Sequence, residues 1–166
     1  MFRQPNHRMV VSSAFALLLL SACGTSGSIS ATTAGSNTGE GEFTFGEPGD
    51  PASADRVIEI VTTNDLVFNP ADVTVTAGET IKFRIVNDGT IIHDFTLGDE
   101  ATQEEHEQEM AEMGGMAHDQ ANAIAVGAGE TQELTWTFTG PGTVLIGCHQ
   151  PGHYDGGMKG QITVEA

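Results

Sequence analysis

An all-β sandwich is the fold this sequence predicts for residues 55–166, and three observations predict it. Short β-branched runs recur along this part of the chain, several of them alternate apolar with polar side chains, and turn signals separate them.

The runs are Val57 to Val61, Val73 to Thr76, Thr80 to Val86, Ile91 to Leu97, Glu130 to Phe138, Thr143 to Cys148 and Gln161 to Val164. In the third, Ile81, Phe83 and Ile85 face one way while Lys82 and Arg84 face the other. Leu134, Trp136 and Phe138 alternate in the same manner with Thr135, Thr137 and Thr139. Ala77-Gly78, Asp88-Gly89, Gly127 to Gly129 and Gly140-Pro141-Gly142 supply the turns. Seven or eight strands in roughly 110 residues make one sandwich domain. A single stretch breaks the pattern, an acidic insertion at about 99–122. There Thr102 followed by Glu105 carries a capping-box signature, Gln103 to Met113 lacks strand character, and Gly114-Gly115 ends it. A short helical insertion is expected between two strands.

The chain upstream has a different character. Arg3 and Arg8 precede the apolar stretch Val10 to Leu20, eleven residues long. That is short of the ~20 residues needed to span a bilayer, and it fits the apolar region of a cleaved export signal at 1–22. Leu20-Ser21-Ala22-Cys23 resembles a lipobox, which implies lipidation of Cys23 and a lipoprotein held at a cell membrane or outer membrane. From Gly24 to about Ala54 the composition is Gly, Ser, Thr and Ala, later with Glu and Asp, and this reads as a flexible tether. The expected location is therefore the periplasm or cell exterior, with membrane contact through the lipid only.

Charge narrows the partners. Removal of 1–22 takes two of the six basic residues and none of the 23 acidic ones, which moves the formal charge from −17 to −19. Nucleic acid and anionic head groups are excluded as partners on that ground. A protein partner steered by charge should present a basic patch.

With Cys23 lipidated, Cys148 is alone in an exported chain, where thiols ordinarily pair. A metal bond is the alternative use for it. Cys148, His153 and Met158 leave one strand and rejoin the next with the spacing Cys-x4-His-x4-Met, and Pro151, Gly152, Gly156 and Gly157 suit a loop that folds back on itself. A thiolate, imidazole and weak thioether suit copper, provided a second imidazole arrives from elsewhere. His149 should face away, because neighbours at a strand end point to opposite faces. His106 and His118 lie in the acidic insertion. His93, on a strand of the core sheet, is the best remaining candidate.

An upstream His on a strand followed by Cys-x4-His-x4-Met before a last strand resembles the cupredoxin family, with loop spacing similar to azurin and rusticyanin. The likeness covers roughly Arg56 to Ala166. It implies an eight-stranded Greek-key sandwich and one type 1 copper ion, with His93 and His153 as equatorial ligands, Cys148 as the thiolate and Met158 as the axial ligand. One departure stands out, since azurin-like proteins have Asn after the first His and this chain has Asp94.

Rival chemistries fit less well. Structural zinc sites are closed by Cys and His donors, a cysteine protease needs a cleft with an oxyanion hole, and a relative of a copper oxidase or nitrite reductase needs more histidines. The expected function is non-enzymatic one-electron transfer by a monomer to a redox partner. The alternative is Cu(I) sequestration or delivery through the insertion, where His106, Met110 and Met113 share one helical face and Met116 and His118 follow. Methionines at helical spacing also serve simply as packing, and the sequence leaves these readings of the insertion open.

Overall fold

The computed structural model describes residues 43–116 and 118–166. The export signal, Cys23 and the tether as far as residue 42 lie outside these described residues.

Two five-stranded sheets pack face to face. One has the order β1 (Gly46–Pro48), β8 (Thr131–Phe138), β5 (Thr80–Asn87), β2 (Arg56–Thr62), β3 (Phe68–Asn69). The other runs β4 (Asp72–Thr76), β10 (Lys159–Glu165), β9 (Gly142–Gly147), β6 (His93–Gly98), β7 (Ala123–Val126). Non-consecutive neighbours and the parallel β2–β5 and β4–β10 pairs require crossovers between the layers, as a Greek-key sandwich demands. The described residues thus hold ten strands rather than eight.

The alternation read from the sequence is what joins the layers. Along β5, Ile81, Phe83 and Ile85 are fully buried, and register sets Ile81 against Trp136 and Phe83 against Leu134 of β8. Parallel β2 adds Ile60 beside Ile85. Across the interface stand Val73 and Val75 of β4, Val144 and Ile146 of β9, and Ile162 and Val164 of β10. Each large aliphatic or aromatic side chain so buried contributes roughly 1.5–3 kcal/mol relative to exposure.

Four elements differ from the sequence expectation, one of them the two-residue strand β3. Residues as far as 54 were expected to be tether, yet Gly46–Pro48 pairs with β8, and Phe43 and Phe45 each lie 5.3 Å from the Trp136 ring by centroids. Gly46 fits because a Cβ there would come within 2.1 Å of the Thr137 carbonyl oxygen. The strand β7 is too short and Ala-rich to signal itself. The helix α1 (Glu100–Glu112) begins earlier than the capping-box reading placed it, because Asp99 is the N-cap and accepts from Thr102 N at 2.9 Å and from its hydroxyl at 2.8 Å. Among the described residues no helix is long and apolar enough to cross a membrane.

The helix explains a peculiarity of β6, whose six residues are all buried. His93, Phe95 and Leu97 occupy one face, and α1 covers the other. Gln103 Nε2 donates to the carbonyls of Thr96 (3.0 Å) and Leu145 (3.2 Å), which fastens the helix across β6 and β9.

Candidate metal centre

The β6 strand opens with His93, and Asn87 fixes the loop that leads to it. Asn87, fully buried at the end of β5, donates to the carbonyls of Ile91 (2.7 Å) and Val126 (3.0 Å) and accepts from Gly89 N (2.9 Å). One side chain therefore holds the 88–92 loop to β5 and β7.

Cys148 follows β9 directly, and the chain from there to β10 folds into its own hydrogen bonds. His153 N donates to Gln150 O (2.9 Å), Met158 N to His153 O (3.0 Å) and Cys148 N to Met158 O (3.2 Å). Gly152 (φ 81) and Gly157 (φ 98) take left-handed conformations that side-chain-bearing residues disfavour. The loop so made brings three donors together. His153 Nδ1 lies 3.3 Å and His93 Nδ1 3.9 Å from Cys148 Sγ, and the three ligand atoms fall within 4.8 Å of one another. Met158 is fully buried beside them in the chain, its backbone bonded to both Cys148 and His153.

The electrostatics suit a soft cation. Burial pushes the His93 imidazole below its ordinary range, with His153 adding to the effect, and burial does the same to His153. Both rings are thus held neutral, with lone pairs available. Burial pushes the Cys148 thiol far up, and the nearby Asp94 carboxylate pushes it further. Without metal the sulfur keeps its proton, which a metal must displace on binding. Both Nδ1 atoms face the sulfur, and two imidazoles with a thiolate are donors that would suit a copper ion.

Around this cluster runs a polar layer. Asp94 Oδ1 lies 3.4 Å from Cys148 Sγ and Asp94 N donates to the same sulfur at 3.4 Å, while both carboxylate oxygens accept from His149 N. His149 turns away from the donor cluster, as strand geometry predicts. Its Nδ1 faces Glu107 Oε2 (2.5 Å), its Nε2 faces Gln103 Oε1 (2.6 Å), and its ring stacks on Tyr154 at 4.4 Å. Gly147 leaves room for this layer, since a Cβ there would meet Gln103 Oε1 at 2.3 Å and His149 Nε2 at 2.8 Å.

In the insertion, the structure separates residues that the helical face had grouped. His106 and Met110 are buried, whereas Met113 is 37% and Met116 69% exposed. Glu109 and His118 stand beside His106 instead, and the three offer ligand atoms within 4.8 Å of one another. Glu109 is at i+3 from His106, a spacing visible in the sequence but easily taken for a solvated face.

Comparison with known proteins agrees with this geometry. The model of the plastocyanin/azurin family of copper binding proteins matches residues 56–165. The "Copper-resistant cuproprotein CopI" of Rubrivivax gelatinosus is 39% identical over 131 residues, covering 79% of this chain and 79% of that protein. That of Pseudomonas aeruginosa is 39% identical over 150 residues, covering 73% of this chain and 82% of its relative. Among solved structures, the dithionite-reduced auracyanin of Roseiflexus castenholzii superposes with TM-score 0.60 at 31% identity, covering 68% of this chain and 99% of that one. The strand order, the buried sulfur–imidazole cluster and the match across residues 56–165 lead to one conclusion: this chain belongs to the plastocyanin/azurin family of copper-binding cupredoxins.

Proposed function

We propose that this chain serves copper resistance outside the cytoplasm, holding one copper ion in the cupredoxin centre through His93, Cys148, His153 and Met158. The observation that carries the reading is likeness along most of both chains to cuproproteins named for copper resistance, with the sulfur–imidazole cluster in place. When bound, copper supplies a one-electron couple. The chain's own groups do the rest. His93, fully buried, anchors one side, and the loop hydrogen bonds hold His153 and Met158 at fixed separation from Cys148. Asp94 sets a carboxylate against the sulfur, which favours the more highly charged metal state. The signal and lipobox at 1–23 would carry the domain across the membrane and tether it there.

Electron transfer to a partner with a basic patch is the second reading, and the exposure of the two histidines favours it. His153 is half-buried where His93 is closed off, so its ring edge is the accessible route to the centre.

The test is complementation of cells lacking the gene, scored by growth in copper. The intact chain should restore tolerance and Cys148→Ser should not. Full tolerance with Cys148→Ser would refute a role for this centre in resistance. Cys23→Ser should release the protein from the membrane fraction.

A further inference from the structure

The insertion holds a second group of donors that the cupredoxin centre does not use. His106 and Glu109 come from α1 and His118 from the turn after it. His106 Nδ1 lies 3.5 Å from Glu109 Oε2, His118 Nε2 lies 3.6 Å from Glu109 Oε1, and the two rings are 5.5 Å apart by centroids.

Each ring is oriented by a contact on its other nitrogen. His118 Nδ1 lies 3.4 Å from the Met116 carbonyl oxygen, a contact that places the proton on Nδ1 and leaves the Nε2 lone pair facing the cluster. His106 Nε2 faces Asp94 Oδ2 at 3.8 Å, so a carboxylate stands behind this ring on the side away from the cluster. A carboxylate behind a histidine, with the opposite nitrogen turned to a shared point, is how metal-binding imidazoles are ordinarily held.

His106 supplies the decisive observation. Its side chain is 4% exposed, and Nδ1 is buried with no hydrogen-bond partner among the described residues. A buried nitrogen left so is destabilising, and a ligand removes that cost. Gln120 Nε2 lies 2.6 Å from Glu109 Oε2 and 3.0 Å from His118 Nε2, so an N–H₂ group, itself an electropositive donor, already bridges two of the three acceptors. The third acceptor is unserved.

We propose that His106 Nδ1, Glu109 and His118 Nε2 form a second metal site, for a borderline divalent cation held apart from the cupredoxin centre. Two imidazoles and a carboxylate match Cu(II) first and Zn(II) after it, in the usual order of divalent affinities. The set is harder than the thioether site suggested by the methionine spacing, since its third donor is oxygen. Gln120 must swing aside, which its partly exposed position on the turn allows.

The test uses the full chain and Cu(II) itself. A first equivalent fills the cupredoxin centre and is followed by its thiolate absorption. A second is then followed by equilibrium dialysis and by electron paramagnetic resonance. The expected result is a second tight equivalent with a type 2 spectrum carrying nitrogen couplings. Glu109→Gln combined with His118→Ala, both away from the core, should abolish it and leave the first equivalent's colour intact. An undiminished second equivalent in that double variant would overturn the proposal. So would its loss on changing Met110, Met113 and Met116 to Leu while the double variant retains it. The two centres fail separately, because absence of thiolate absorption with the first equivalent bears on the cupredoxin site alone.

Discussion

The Asp94 carboxylate is set against the Cys148 sulfur, with Oδ1 3.4 Å from Sγ, while the Asp94 amide donates to that sulfur at the same distance. One residue thus presents a donor and a negative charge to the same atom in a buried place. The amide stabilises a thiolate, and the carboxylate opposes it and would favour the more oxidised state of a bound copper ion. Asp94 also accepts from His149 N, so it ties strand β6 to the start of the Cys148–Met158 loop.

Asp94→Asn keeps the amide donor and an acceptor for His149 N while removing the charge. The copper potential should rise by about 60 mV or more, a tenfold change in oxidation-state preference for a one-electron couple. Voltammetry of the copper-loaded chain reads this directly, and an unchanged or lowered potential would contradict the role given to the carboxylate.

Asn87→Ala leaves the carbonyls of Ile91 and Val126 and the Gly89 amide without their partner. A loss of about 3 kcal/mol is expected from buried hydrogen bonds of this kind. Urea unfolding of the metal-free protein measures it. The 88–92 loop should loosen as well, visible as faster amide exchange at Gly89.

Truncation to residue 55, the boundary that composition suggests, should remove β1 and the aromatic pair Phe43 and Phe45 from Trp136. The cost expected from two lost aromatic contacts and their burial is about 3 kcal/mol. Trp136 is the chain's sole tryptophan, so a red-shifted emission would report its exposure. Unchanged emission and stability would contradict the packing of this segment.

The buried thiol carries a pH signature. Its proton is held in the fold well above the ordinary thiol range, first by burial and then by Asp94. A raised pKa means the folded chain keeps a proton that the unfolded chain gives up above about pH 8.5, so stability is full below that pH and falls as pH rises. The metal-free protein should lose up to ~1.4 kcal/mol per pH unit through this group. Cys148→Ala should remove that component of the slope, and identical slopes for the two proteins would contradict it.

Legibility in the sequence followed the range of the interactions. The alternation in β5 and β8 is local, and the burial of Ile81, Phe83, Ile85, Leu134, Trp136 and Phe138 follows it. The loop from Cys148 to Met158 is also local, and the structure brings Cys148 and His153 together with the more distant His93. Strand β1 was hidden because Gly46–Pro48 has no strand character apart from its pairing with β8. The start of α1 lies ahead of the capping-box signature because Asp99 takes the cap, with Thr102 as the donor to it. His149 could be set aside by strand geometry, but its bonds to Glu107 and Gln103 depend on how α1 lies across β6 and β9. The same long-range placement gathers His118 and Glu109 around His106 and leaves Met113 and Met116 at the surface.

The central claim is that Cys148 holds copper between His93 and His153, and addition of one equivalent of Cu(II) to the full chain tests it most directly. An intense visible absorption from thiolate-to-copper charge transfer should appear and should be absent from Cys148→Ser. A colourless complex, or a colour unchanged in Cys148→Ser, would contradict the account.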